Sequence, residues 1–244
     1  MRNTPFSFPK RNAASSEALM LSKEIQRLTE SLPRRPGILG KERFFNAAVL
    51  IPLLEGDGEM HFLFQKRAPH IRQGGEVCFP GGEYEPEVDR VCEETALREA
   101  EEELGISRER INVLGRMDTL ISPRGITVDS FPALLDIRDL KELSPDTWEV
   151  ERLFSLPVSW FEANEPETYW LQLEIQPSYT DEEGKRIDLL PVEALGLPRR
   201  YASTWEGLKH RVSIYHTPEE VIWGLTAELI REILGHISRT RNAG

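Results

Sequence analysis

Apolar residues crowd together first in Phe45-Asn46-Ala47-Ala48-Val49-Leu50-Ile51-Pro52-Leu53-Leu54, which reads as a buried strand. Glu55-Gly56-Asp57-Gly58-Glu59 supplies a turn and Met60 to Arg67 a second strand, so the pair forms a hairpin. Ile111 to Met117 and Ser130 to Ile137 read as further strands, with Ser122-Pro123-Arg124-Gly125 a turn between them. Tyr169 to Ile175 reads as another, set in an irregular stretch from Asn164 to His210 that is expected to add two or three extended segments as an insertion. Helical spacing governs Ser15 to Leu32, with Ala18, Leu19, Leu21, Ile25 and Leu28 in one stripe. It also governs Trp223 to His236, expected to bury Leu225, Leu229, Ile233 and Leu234.

A third helix is short and unusual. It follows the tight turn Phe79-Pro80-Gly81-Gly82 and ends at Gly105. Within it Glu99, Glu102 and Glu103 fall at i, i+3 and i+4 and project from one face. On an exposed helix the repulsion within such a pair is only about 0.2–0.5 kcal/mol, and Arg98 can pair with Glu94 and Glu102, so a solvated acidic face is one reading. The other is a site for a hard cation such as Mg²⁺, which takes oxygen ligands and is commonly held by a few carboxylates together with substrate phosphates.

Composition narrows the classes. The chain of 244 residues can bury a full core, and its formal charge of −11 argues against a broad nucleic-acid footprint or an anionic membrane surface as partner. A polyphosphate would have to be met locally by cations, and Lys66, Arg67, His70 and Arg72 gather just before the Gly-rich turn. A solvated loop is the alternative reading of that cluster. Arg124, in a turn, is a further candidate for a phosphate contact. Cys78 and Cys92 form no zinc spacing and no disulfide framework, and they read as core thiols of a reducing, cytoplasmic compartment. No apolar run is long enough to span a bilayer or to serve as a signal-peptide core. Residues 1–36 read as a polar and helical extension, 37–238 as the main domain with 164–210 inserted, and 239–244 as a tail.

Gly82 through Ile106 resembles the Nudix box, whose second half, Arg-Glu-apolar-x-Glu-Glu-x-Gly-apolar, is matched at every fixed position by Arg98 to Ile106. The first half departs: the interval from Gly82 to Arg98 is two residues longer than usual, and Arg90 stands where the box carries its first Glu. Upstream, Arg67, Ala68, Arg72, Gly75 and Phe79 to Gly82 resemble the signature of the coenzyme A diphosphatase branch of the Nudix hydrolases. The gap from Arg72 to Gly75 is one residue short of it, and Gln65 replaces a common Thr. Trp223-Gly224-Leu225-Thr226-Ala227 is similar to that branch's C-terminal motif, and Trp148 to Val158 to its Glu-Val segment, which makes Glu149 a further carboxylate candidate.

The resemblance implies an α/β fold, a mixed β-sheet sandwiched between α-helices, and a hydrolase using Mg²⁺ or Mn²⁺. It implies Glu99, Glu102 and Glu103 as catalytic and metal-binding residues, with the Gly81 carbonyl as a further ligand. Arg67, Arg72 and Arg124 would hold the substrate. The substrate class implied is coenzyme A or its thioesters, cleaved to 3′,5′-ADP and 4′-phosphopantetheine or its acyl form. ADP-ribose or NADH is the alternative substrate, and a non-catalytic nucleotide-binding module is the alternative class; a homodimer stays open.

Overall fold

A computed structural model describes residues 16–35 and 37–242. The polar first fifteen residues and the end of the expected tail lie outside that range. The chain divides into two compact units, the first ending at Lys41 and the second beginning at Glu42. The first holds helix α1, Ser16–Ser31, where the 3.6-residue spacing placed it. Among the described residues no helix is long and apolar enough to cross a membrane.

The second unit opens with β1 (Phe45–Gly56) and β2 (Glu59–Arg67), paired antiparallel from Leu53↔Phe62 to Gly56↔Glu59. Asp57 and Gly58 both have positive φ, 50° and 82°, the two-residue turn whose twist matches that of the flanking strands. β3 (Val77–Cys78), β4 (Gly81–Glu83) and α2 (Cys92–Leu104) follow. After them come β5 (Ile111–Val113), β6 (Leu120–Ser122), β7 (Ile126–Leu135) and β8 (Val150–Pro157). Next are α3 (Val158–Ala163), β9 (Glu167–Ile175), β10 (Ser178–Thr180) and β11 (Arg186–Asp188). The chain ends with β12 (Trp205–His216), β13 (Val221–Trp223) and α4 (Gly224–Asn242).

Eight strands form one mixed sheet along the path β3-β2-β1-β7-β5, with β4 on β1, β6 on β7 and β8 on β2. β1 and β7 run parallel and the other pairings are antiparallel. Alternation along β1 sends Ala48, Leu50 and Leu54 to one face, beneath Ala96, Ala100 and Leu104 of α2. Ile51 and Leu53 face the other way, into a cluster with Phe62, Phe64 and Phe161 that Leu229, Ile230 and Ile233 of α4 complete. The fold is therefore an α/β sandwich with helices on both faces of a mixed sheet. Fully burying each large apolar side chain contributes about 1.5–3 kcal/mol, so the first of these layers, with Leu50, Leu54 and Leu104, holds α2 against β1. The remaining strands form a three-stranded sheet, β13-β12-β9, and the hairpin β10-β11.

Several elements differ from the sequence expectation: β5 ends at Val113 short of Met117, β6 forms just before the expected turn, and α4 continues through residues 239–242, part of the expected tail. β7 starts at Ile126, because its polar Thr127 and Asp129 are buried and satisfied: Thr127 Oγ1 donates to Asn46 and Asp129 accepts from Arg116 and Thr119. β12 crosses the expected boundary at His210, because its pairing with β9 carries straight on to Ile214.

Candidate active site

Gly81 and Gly82 lie on β4, opposite Val49 and Ala48 of β1. The absence of a Cβ matters at both. One at Gly81 would overlap the Ala48 carbonyl and the Val49 side chain, and one at Gly82 would overlap the Glu99 carboxylate. β4 can thus lie flat against β1 while α2 brings its acidic face down onto it. Gly105, left-handed at φ 62° and ψ 38°, ends α2 by donating to the Glu101 carbonyl.

Of the three box carboxylates on that face, Glu99 and Glu102 meet on one Arg98 nitrogen, and Glu103 turns down towards β4. Glu103 is only 3% exposed, and its Oε2 accepts the Gly81 N–H at 2.9 Å. Burial pushes its carboxyl up to about 7, helped by the Glu99 charge and opposed by hydrogen bonds from Gln65 and Gly81. Glu99 is raised as well, chiefly by burial, with Glu102 and Glu149 adding to the rise against the Arg98 guanidinium. Glu149 therefore lies within electrostatic reach of the cluster. Cys78 borders it too: its Sγ is 3.5 Å from Gln65 Nε2, and burial first and Glu103 second push the thiol up to about 11.

Arg98 organises the open side. Its Nη1 donates to Glu99 Oε1 at 2.7 Å and to Glu102 Oε2 at 3.3 Å. Its Nε and Nη2 grip Asp89 at 3.3 and 3.1 Å. Asp89 is 3% exposed and also accepts from Thr95 Oγ1 and the Glu85 N–H. The Arg98 hydrogen bonds hold its carboxyl below the usual range in spite of burial. Sequence counting put Arg90 where the box carries a carboxylate. The side chain that meets Arg98 belongs to Asp89, one residue earlier, and Arg90 is exposed. The lengthened interval before Arg98 was the signal that this register could slip.

The cationic loop resolves into separate fates. Arg67 turns inward, its Nε donating to the Arg72 carbonyl and its Nη1 standing 3.9 Å from Glu103 Oε1. Arg72 stays exposed on the same loop. Lys66 is committed elsewhere, to Glu220 at 2.9 Å and Glu151 at 3.5 Å. Arg124 is exposed in the turn between β6 and β7, its backbone N–H on Ser122 Oγ, and among the described residues no hydrogen bond or ion pair joins its guanidinium to the carboxylates. Gly74 has no room for a Cβ against the Pro69 carbonyl, and Gly75 sits at φ 79°, so the loop folds tightly back onto β2.

Among the described residues no three His, Cys, Asp or Glu side chains stand close enough to hold a metal ion in this conformation. The donor set nevertheless fits a hard divalent cation. It is made of carboxylate oxygens alone, two of them sunk beside a Gly-Gly strand, and like charges crowded there are relieved by a cation. Glu99 and Glu102 share one guanidinium nitrogen of Arg98.

The chain matches the family model for the NUDIX domain over residues 44–195. Nudix hydrolase NudL of Yersinia pestis (strain Pestoides F) is 31% identical over 226 residues, covering 89% of this chain and 95% of that protein. The same identity and coverage hold for NudL of Yersinia pseudotuberculosis serotype O:1b. Among solved structures, a Nudix hydrolase from M. smegmatis, RenU, aligns over 50% of this chain and 74% of its own, with TM-score 0.41 and 23% identity. The NUDIX domain of Shewanella oneidensis NrtR, complexed with ADP ribose, aligns over 57% and 86%, with TM-score 0.39 and 17% identity. With the box helix set over its glycine strand, and with likeness running through most of its length, the chain belongs to the Nudix hydrolases, enzymes that act on pyrophosphate bonds.

Proposed function

We propose that this Nudix hydrolase cleaves the diphosphate of coenzyme A or its thioesters, releasing 3′,5′-ADP and 4′-phosphopantetheine or its acyl form. The observation that carries the reading is the loop from Arg67 to Gly82, which folds so that Arg67 meets the box carboxylate Glu103. A cation fixed beside metal-binding carboxylates suits a substrate that carries a diphosphate and a third phosphate group. The two free thiols support a cytoplasmic setting.

Glu99, Glu102 and Glu103, with the Gly81 carbonyl, would hold Mg²⁺ or Mn²⁺. A bound divalent ion there supplies charge stabilisation to the diphosphate and makes the attacking water more acidic. Arg98, anchored on Asp89, fixes the rotamers of Glu99 and Glu102. Arg67 and Arg72 receive phosphate oxygens through charge-assisted hydrogen bonds, and Arg124 takes an outer phosphate.

The test is a substrate panel at one Mg²⁺ or Mn²⁺ concentration with product analysis. Coenzyme A should give a higher kcat/KM than dephospho-coenzyme A, ADP-ribose or NADH, because a cation built for the 3′-phosphate is left unpaired by the others. The 3′-phosphate should remain on the adenosine product. Preference for ADP-ribose or NADH would move the assignment to those substrates, and nucleotide binding without turnover would mark a binding module.

A further inference from the structure

Trp148 is 68% exposed, a large apolar ring presented to solvent. It is not loose. Its backbone N–H donates to Asp146 Oδ1 at 2.9 Å, and its ring meets that of His70 with centroids 4.4 Å apart at 63°. Two neighbouring backbone links hold the loops that carry these rings. The Ala68 N–H donates to the Glu149 carbonyl at 2.8 Å, and Arg67 pairs with Val150 where β2 meets β8. The aromatic pair therefore joins two segments that border the carboxylates: Trp148 precedes Glu149, whose charge acts on Glu99, and His70 lies between Arg67, which reaches Glu103, and Arg72.

Burial does not account for it. A side chain left this exposed gains little hydrophobic stabilisation, so holding two loops together is a weak explanation for an indole. Two rings inclined to one another at 63° leave flat π-surface open, on which a third planar ring can stack. The groups beside it suit phosphate and a cation. A ligand satisfying both halves has a flat heterocycle at one end and a diphosphate at the other.

We propose that Trp148, assisted by His70, is the stacking platform for the nucleobase of the substrate, and so selects nucleoside diphosphates over diphosphates without a base. This rests on the carboxylate cluster being a nucleotide-diphosphate site. Stacking is tolerant of base identity because every base has a π-face, so the platform sets the substrate class, and the choice among nucleotides falls to contacts elsewhere. It interacts equally with ground and transition states, which places its effect in KM and leaves kcat in place.

The full-length protein and its Trp148→Ala and Trp148→Phe variants are titrated calorimetrically with ADP and, separately, with inorganic pyrophosphate, both in Mg²⁺. Wild-type and variant KM and kcat are measured on coenzyme A and ADP-ribose. Trp148→Ala should bind ADP about tenfold more weakly and raise KM by a similar factor, with pyrophosphate affinity unchanged. Trp148→Phe should restore most of the loss. Unchanged ADP affinity and KM in Trp148→Ala would overturn the proposal, as would an equal loss for ADP and pyrophosphate, which would make Trp148 a loop prop. Wild-type protein that binds no ADP would also overturn it. Failure of the functional assignment is separately visible, as wild-type protein that binds ADP but turns over no nucleotide diphosphate.

Discussion

Replacing Asp89 with Asn keeps the shape of the side chain and removes the charge that anchors Arg98. Asp89 is buried and accepts from Arg98 Nε and Nη2, Thr95 Oγ1 and the Glu85 N–H. Removing one partner of a fully buried ion pair costs about 3–5 kcal/mol, because the other charge is left behind uncompensated. The Arg98 side chain is 23% exposed and keeps Glu99 and Glu102, which reduces the expected loss to about 2–3 kcal/mol. The loss should appear in urea unfolding at pH 7 as a lower midpoint with an unchanged slope. Its pH dependence has a definite sign. Because the folded carboxyl titrates below its unfolded value, Asp89 contributes fully above roughly pH 4 and loses its contribution as pH falls through the depressed folded value. The gap between wild type and variant should therefore be full at pH 7 and close in acid. Freed from Asp89, Arg98 binds Glu99 and Glu102 alone, so the Mg²⁺ concentration giving half-maximal turnover should also rise. A gap under about 0.5 kcal/mol at pH 7 would refute the reasoning, since that is the scatter of ordinary surface changes.

Glu99→Gln and Glu103→Gln should each abolish most turnover while the protein stays folded by circular dichroism; near wild-type turnover in both would make the acidic face merely solvated. Arg72→Ala should lower kcat/KM for coenzyme A by roughly tenfold or more, the worth of one hydrogen bond to a charged group. An unchanged kcat/KM would exclude Arg72 as a ligand.

The hairpin and the box helix were legible because local chemistry decides them. Asp57-Gly58 admits positive φ at both positions, and Gly105 stops α2 at the point where the acidic face ends. β7 was read four residues short because Thr127 and Asp129 look like loop residues until their partners elsewhere in the fold are known. Hydropathy registers the polar side chain and not the hydrogen bond that makes its burial tolerable, donated to Asn46 by Thr127 and accepted from Arg116 and Thr119 by Asp129. β12 was obscured for the opposite reason: its sheet with β9 leaves many residues half-exposed, so no alternation marks it.

At the site, the same distinction separates what counting finds from what only folding brings together. Glu99, Glu102 and Glu103 share one helix, so their convergence follows from a 3.6-residue period. Lys66 and Arg67 are adjacent in sequence, yet on a strand neighbours point to opposite sides, and the bulge between Lys66 and Arg67 where β2 meets β8 separates them further. Lys66 is neutralised by Glu220 and Glu151 while Arg67 reaches Glu103, a division invisible in a list of cations. Asp89 and Trp148 come from loops, where no period constrains direction. Asp89 is identified by the guanidinium it holds and Trp148 by the ring it meets, so both become legible only once α2 and β8 are packed onto the sheet. Arg98, a box residue, sets the rotamers of Glu99 and Glu102, but the carboxylate that anchors it comes from the lengthened interval before it, where counting assigns no residue type.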